Sequence, residues 1–149
     1  RKRNAKRYLE NREEMIAKIV KYNKERYHSD PAYRTRMLVS SRINKILKSR
    51  GEAKPGTTME LVGCSREKLL CHLERQFDEY MTWNNQGWWH MDHRIPCAAF
   101  DPNNPAEAAA MWHYTNLQPM WASDNIRKKD SCPPGAKEAY MRAGRELTF

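Results

Sequence analysis

Two short stretches, Trp88 to Ile95 and Asn116 to Trp121, alternate in the manner of strands, while the other apolar residues mostly recur at helical spacing. Strands this short and this few imply a small α+β domain in which helices supply most of the core. A chain of 149 residues is long enough for one such domain with a modest hydrophobic interior, plus a helical appendage. It opens at Arg1 instead of a Met, as expected of a processed or partial chain.

Helix punctuation sets the remaining expectations. From Arg1 to about His28 there is no Gly or Pro, and Leu9, Ile16, Ile19 and Val20 form a thin apolar stripe among charges. Ser29-Asp30-Pro31 marks a stop and restart, with Pro31 suited to a first helical position. A second helix is expected from about Ala32 to Ser49, stopped by Gly51, and Lys54-Pro55-Gly56 reads as a linker. Beyond it come a short turn of helix at Thr58 to Val62, then a helix capped by Ser65 with Leu69, Leu70, Leu73 and Phe77 on one face. Pro96 closes the first strand, an Ala-rich helix spans about Ala106 to Trp112, and Ser123 is expected to cap a helix ending at Lys129. These limits divide the chain into a basic helical arm at 1–50, a domain at 57–132 and a tail at 133–149 of helical character and no evident role.

Charge points to a partner. Residues 1–50 hold 16 Lys/Arg against 5 Asp/Glu, whereas the rest hold 11 against 13, so the whole basic excess lies in the arm. That is the pattern of a segment that meets phosphates, and Lys2, Arg3, Lys6 and Arg7 are its densest cluster. A solvated basic helix face is the plainer alternative. An anionic membrane suits the arm less well, because it has many charges and few large apolar residues. No apolar run approaches the length of a bilayer span and no secretory leader is visible, so an intracellular protein is expected. Cys64, Cys71, Cys97 and Cys132 include no C-x-x-C pair, which argues for buried free thiols, with neither structural zinc nor disulfides.

The residues that carry chemistry lie in His90-Met91-Asp92-His93-Arg94-Ile95-Pro96, in Asn116-Leu117-Gln118-Pro119, and at Asn125. Hydrolysis of a phosphodiester with one divalent cation needs oxygen ligands and a base. Asp92 and the Asn125 amide offer the oxygens that Mg²⁺ or Mn²⁺ prefer. His93 offers an imidazole able to accept a proton from water near neutral pH. Adjacent residues on a flat strand face opposite sides, so Asp92 and His93 converge only where the strand twists or ends.

Together these motifs resemble the HNH (ββα-metal, His-Me finger) endonucleases, in particular the phage and viral type with a W-H-x-D-H pattern followed by N-L-Q-P and a later D-N. The resemblance covers about Met59 to Lys129 and fades in residues 1–50. It implies a ββα finger with supporting helices, a DNA phosphodiesterase activity, and Mg²⁺ or Mn²⁺ held by Asp92 and Asn125. It further implies His93 as general base and Asn116 as support for the loop that orients it. His90 is expected either to meet the scissile phosphate or a metal-bound water, or to hold the strand by a hydrogen bond. Arg94, Lys128 and Lys129 flank the chemistry, as phosphate contacts or as a solvated helix end. His113 is expected to be structural or to brace a residue of the site, His28 and His72 to be ordinary surface or helix residues, and the five tryptophans to form the small core around the motif. The expected partner is DNA, bound by a monomer or a homodimer. The rival is a nucleic-acid-binding subunit that keeps this fold without cleaving.

Overall fold

A computed structural model describes residues 2–144, with side chains described from residue 11 onward. Helices α1 (Lys2–Ser29), α2 (Pro31–Arg50), α3 (Thr58–Val62) and α4 (Arg66–Glu74) precede strand β1 (Trp89–His93). Helix α5 (Pro105–Trp112), strand β2 (Leu117–Trp121), and helices α6 (Ala122–Lys128) and α7 (Ala136–Gly144) complete the order. The architecture is α+β, built on one two-stranded antiparallel sheet among the described residues.

The break between α1 and α2 has a local cause. Asp30 takes an extended conformation and its carboxylate accepts from the Tyr33 amide at 2.9 Å, while Pro31 begins α2 where no amide hydrogen is needed. Gly51, at φ +71°, stops α2 by a left-handed turn that other residues adopt at a cost. Between these ends Thr35, Val39, Ile43 and Leu47 recur every four residues and are all buried.

Val39, Ile43 and Leu47 join one hydrophobic core with Val62, Leu69, Leu73, Ile95, Phe100, Met111, Trp112 and Leu117. Helix α2 is therefore packed into the domain that follows it, and the segment at Gly51 is a turn between packed elements. The part of 1–50 that stands apart is α1, exposed from Asn11 through Glu25. Its apolar stripe is too thin to bury, whereas the four-residue row on α2 presents a continuous ridge to α4.

Strands β1 and β2 pair with Trp89 opposite Trp121, Asp92 opposite Gln118 and His93 opposite Leu117. The Ala122 amide donates to the Trp88 carbonyl at 2.9 Å, so α6 starts where β2 ends and lies over the ribbon. Ser123 does not cap this helix. Trp121 holds the cap position and makes no side-chain bond there, because the helix continues directly from the strand.

Trp89 is fully buried against Phe77 and Trp83, with ring centroids 4.9 and 5.4 Å away, and Trp112 is buried as well. Trp88, by contrast, is 77% exposed. The tail has a structural part: α7 packs on α5, and the Tyr140 hydroxyl donates to the Ala110 carbonyl at 3.1 Å. All four thiols are free, but only Cys97 is fully buried and Cys71 is exposed. Among the described residues no helix is long and apolar enough to cross a membrane.

Candidate active site

Alternation along β1 puts His90 and Asp92 on one face, and α6 covers that face. Asn125 lies with His90, its Nδ2 3.0 Å from the ring Nδ1. Lys128, one turn further on, donates to Asp92 Oδ2 at 2.8 Å and to the His93 carbonyl at 2.6 Å. Gln118, across the ribbon, reaches the same carboxylate oxygen at 3.4 Å. Asp92 and His93 are each 3% exposed.

Asp92 and His93 sit at the end of the strand, and one side chain from another element reaches both. Arg42 on α2 donates from Nε to His93 Nδ1 at 3.3 Å, and its Nη2 is 3.8 Å from Asp92 Oδ1. The His93 ring stands edge-on to Trp112 at 5.9 Å. Burial, followed by the Arg42 charge, pushes the His93 pKa down to about 4, against the opposing pull of Asp92. The ring is therefore neutral at neutral pH. With Nδ1 accepting from Arg42, its proton resides on Nε2.

Asn116 fixes the backbone that carries this pair. Fully buried, it accepts from the Ile95 amide at 2.9 Å through Oδ1, and its Nδ2 donates to the carbonyls of Ile95 and Met111, both at 3.1 Å. Its own carbonyl accepts from the Arg94 amide at 2.7 Å. The segment leaving β1 is thus tied to the end of α5 by an amide with no free polar atom, which makes Asn116 a positioning residue.

The donors on the α6-facing side of β1 suit a hard divalent cation. Asp92 is a buried carboxylate that requires positive charge nearby, and Asn125 adds an amide oxygen that makes none of the bonds described. The structure brings Asn125 to His90, and Lys128 to Asp92, so Lys128 and a cation would compete for the same carboxylate oxygen.

Of the expected phosphate contacts, Arg94 reaches the Gln76 side chain and Lys128 is engaged as described. Lys129 is exposed, at φ +49° where α6 ends. The side chains of Lys2, Arg3, Lys6 and Arg7 lie outside the described residues. His72 is half-buried and bonds the Leu117 carbonyl at 3.0 Å, so it braces β2 instead of facing solvent freely. His113 is buried beneath α3, where a Cβ on Gly63 would stand 2.6 Å from its ring. Arg42 belongs to no motif, and Gln118 lies in N-L-Q-P with no role expected of it. The available signal was the stripe Arg42, Lys45, Ser49 and Arg50, which recurs at helical spacing beside the buried row of α2.

The chain is similar to two proteins of Acanthamoeba polyphaga mimivirus. It is 34% identical over 121 residues to Uncharacterized protein L246, an alignment covering 80% of this chain and 52% of that protein. It is likewise 34% identical over 113 residues to Uncharacterized protein L426, covering 75% and 49%. The chain thus spans about half the length of the curated relatives it matches. No family model and no solved structure matches it.

Proposed function

We propose that the chain is a metal-dependent DNA endonuclease of the HNH type. The observation that carries this reading is the order β1, β2, α6 with Asp92 and His93 buried side by side at the end of β1, Asn116 clamping the segment beyond them and α6 facing Asp92. A ribbon and helix in that arrangement are what the motif resemblance implies.

Asp92 and Asn125 would hold Mg²⁺ or Mn²⁺, which when bound neutralises charge developing on the phosphate and the leaving oxygen. His93 takes a proton from the attacking water at Nδ1, the nitrogen that carries the lone pair. Burial keeps that nitrogen unprotonated at neutral pH. Asn116 holds the strand end in register, and Trp112 limits the tilt of the imidazole. The stretch of α1 exposed from Asn11 through Glu25, with Lys18, Lys21 and Lys24, supplies long-range attraction to DNA.

One observation favours a second reading, a DNA-binding subunit without cleavage. Asp92 is already neutralised by Lys128 and Arg42, as in a site that needs no cation. Calorimetric titration with Mg²⁺ and Mn²⁺, run beside conversion of supercoiled plasmid with and without EDTA, separates the two. The nuclease reading expects binding that Asp92→Ala removes and cleavage that EDTA stops. A parent that binds DNA but never cleaves under either cation overturns it.

A further inference from the structure

Arg42, which bonds His93 and faces Asp92, lines two clefts. One, of about 490 Å³, lies between the end of α1, α2 and the turn before β1, and includes Tyr27, Arg34, Trp83 and His90. The other, of about 350 Å³, runs along α2 and includes Lys45, Ser49, Arg50, Asp92 and Lys129. Charge distinguishes the second: Arg42, Lys45, Arg50 and Lys129 face it, against Asp92 and Asp130. The first three are on α2 at positions i, i+3 and i+8, on the side flanking the buried row, so the helix itself sets the spacing. Arg50 is anchored, donating to the Cys97 carbonyl at 3.1 Å, whereas Lys45 and Lys129 are exposed. A groove lined by exposed cations and one buried acid fits a polyanion that comes to the acid.

We propose that this groove on α2 is the phosphodiester track of bound DNA, and that Arg42 is the residue that takes the phosphate next to Asp92. The proposal rests on the nuclease reading for the identity of the polymer and adds residues that no motif marks. Arg42 suits the part because its side chain is 45% exposed although it bonds two buried groups. A guanidinium so placed can exchange an imidazole nitrogen and a distant carboxylate oxygen for two phosphate oxygens, which match its planar fork better. The exchange also has a consequence for His93. In the free protein Arg42 covers the Nδ1 lone pair, and its transfer to phosphate uncovers that nitrogen only when DNA is in the groove. The groove thus makes α2 a substrate-binding element and leaves α1 the role of a long-range attractor.

The test is binding of a short DNA duplex by the full chain in EDTA, followed by fluorescence anisotropy across a salt series. Each phosphate contact removed lowers the slope of log K against log salt by roughly one. Lys45→Gln/Lys129→Gln, which touches no buried pair, is expected to lose roughly two, and Arg42→Gln roughly one, with Arg42→Lys keeping most of its slope. Arg66→Gln on α4, outside the groove, removes one charge as Arg42→Gln does and keeps the parental slope. Melting temperatures taken in parallel show whether Arg42→Gln is folded, and the Lys45/Lys129 pair decides the matter if it is not. A parental slope in the Lys45/Lys129 variant, or an equal loss in Arg66→Gln, overturns the groove. A parent that shows these slopes yet does not cleave with Mg²⁺ or Mn²⁺ sinks the nuclease reading and leaves the groove standing.

Discussion

The Lys128 ammonium lies 2.8 Å from Asp92 Oδ2, and both side chains are largely withdrawn from solvent, at 18% and 4% exposed. Breaking a buried pair from one side leaves the other charge uncompensated. Lys128→Met is expected to lower stability by about 2 kcal/mol, less than for an isolated pair because Arg42 still faces the carboxylate. If Asp92 takes a divalent cation, Mg²⁺ should restore more of the melting temperature in Lys128→Met than it adds to the parent, since a bound ligand stabilises the folded state. Equal Mg²⁺ effects on both proteins would count against Asp92 as a ligand.

Much of the frame was legible before the structure, and particular residues say why. Asp30-Pro31, Gly51 and Ser65 end or begin helices by chemistry confined to a few neighbours, and the structure uses each as written. Asn116 was legible as a support only through the motif, and its three bonds to Ile95 and Met111 supply the physical content. Arg42 was not legible, because its importance comes from a contact 51 residues away in sequence that exists only once α2 packs on the domain. The same packing unites α2 with the core and confines the free arm to α1. Lys128 and Asn125 were both visible as candidates, but the helix phase that gives Asp92 to one and His90 to the other is a tertiary property.

The Asn116 side chain makes three hydrogen bonds, all to buried backbone groups beside the site. Asn116→Ala leaves the Ile95 amide and carbonyl and the Met111 carbonyl without their partner and opens space in the core. The expected loss is about 3 kcal/mol or more, measured by urea unfolding. A loss below about 1 kcal/mol would mean that water replaces the amide and that the segment beyond β1 is not held by it.

The depressed pKa of His93 makes the fold sensitive to acid. An unfolded histidine titrates near 6.5, while His93 in the fold titrates near 4, so between those values the unfolded chain binds more protons. Stability from this group is complete above about pH 6.5 and falls as pH drops toward 4, by about 3 kcal/mol in all. Burial pushes His72 and His113 in the same direction. Urea midpoints at pH 7.5 and 4.5 should differ accordingly, with His93→Gln reducing the difference. An unchanged difference in that variant would show that His93 is not buried neutral.

The arm can be separated from the fold at a chosen place. Side chains from Asn11 through Glu25 are exposed, whereas Arg26 pairs with Asp30 at 3.2 Å. Deleting residues 1–24 should leave the melting temperature within a few degrees of the parent and flatten the salt dependence of DNA binding. Deleting 1–50 removes Val39, Ile43 and Leu47 from the core and should prevent stable folding. A folded 51–149 fragment would contradict the packing of α2.

The central claim is that His93 is the base of a phosphodiester hydrolysis, and the rate of supercoiled plasmid cleavage by His93→Ala in Mg²⁺ tests it most directly. Removing an imidazole base should slow the reaction by roughly 100- to 10,000-fold. Duplex affinity and Mg²⁺ affinity should stay near parental, because the cationic groove, α1 and Asp92 are untouched. Cleavage by a folded His93→Ala protein at the parental rate would contradict the account.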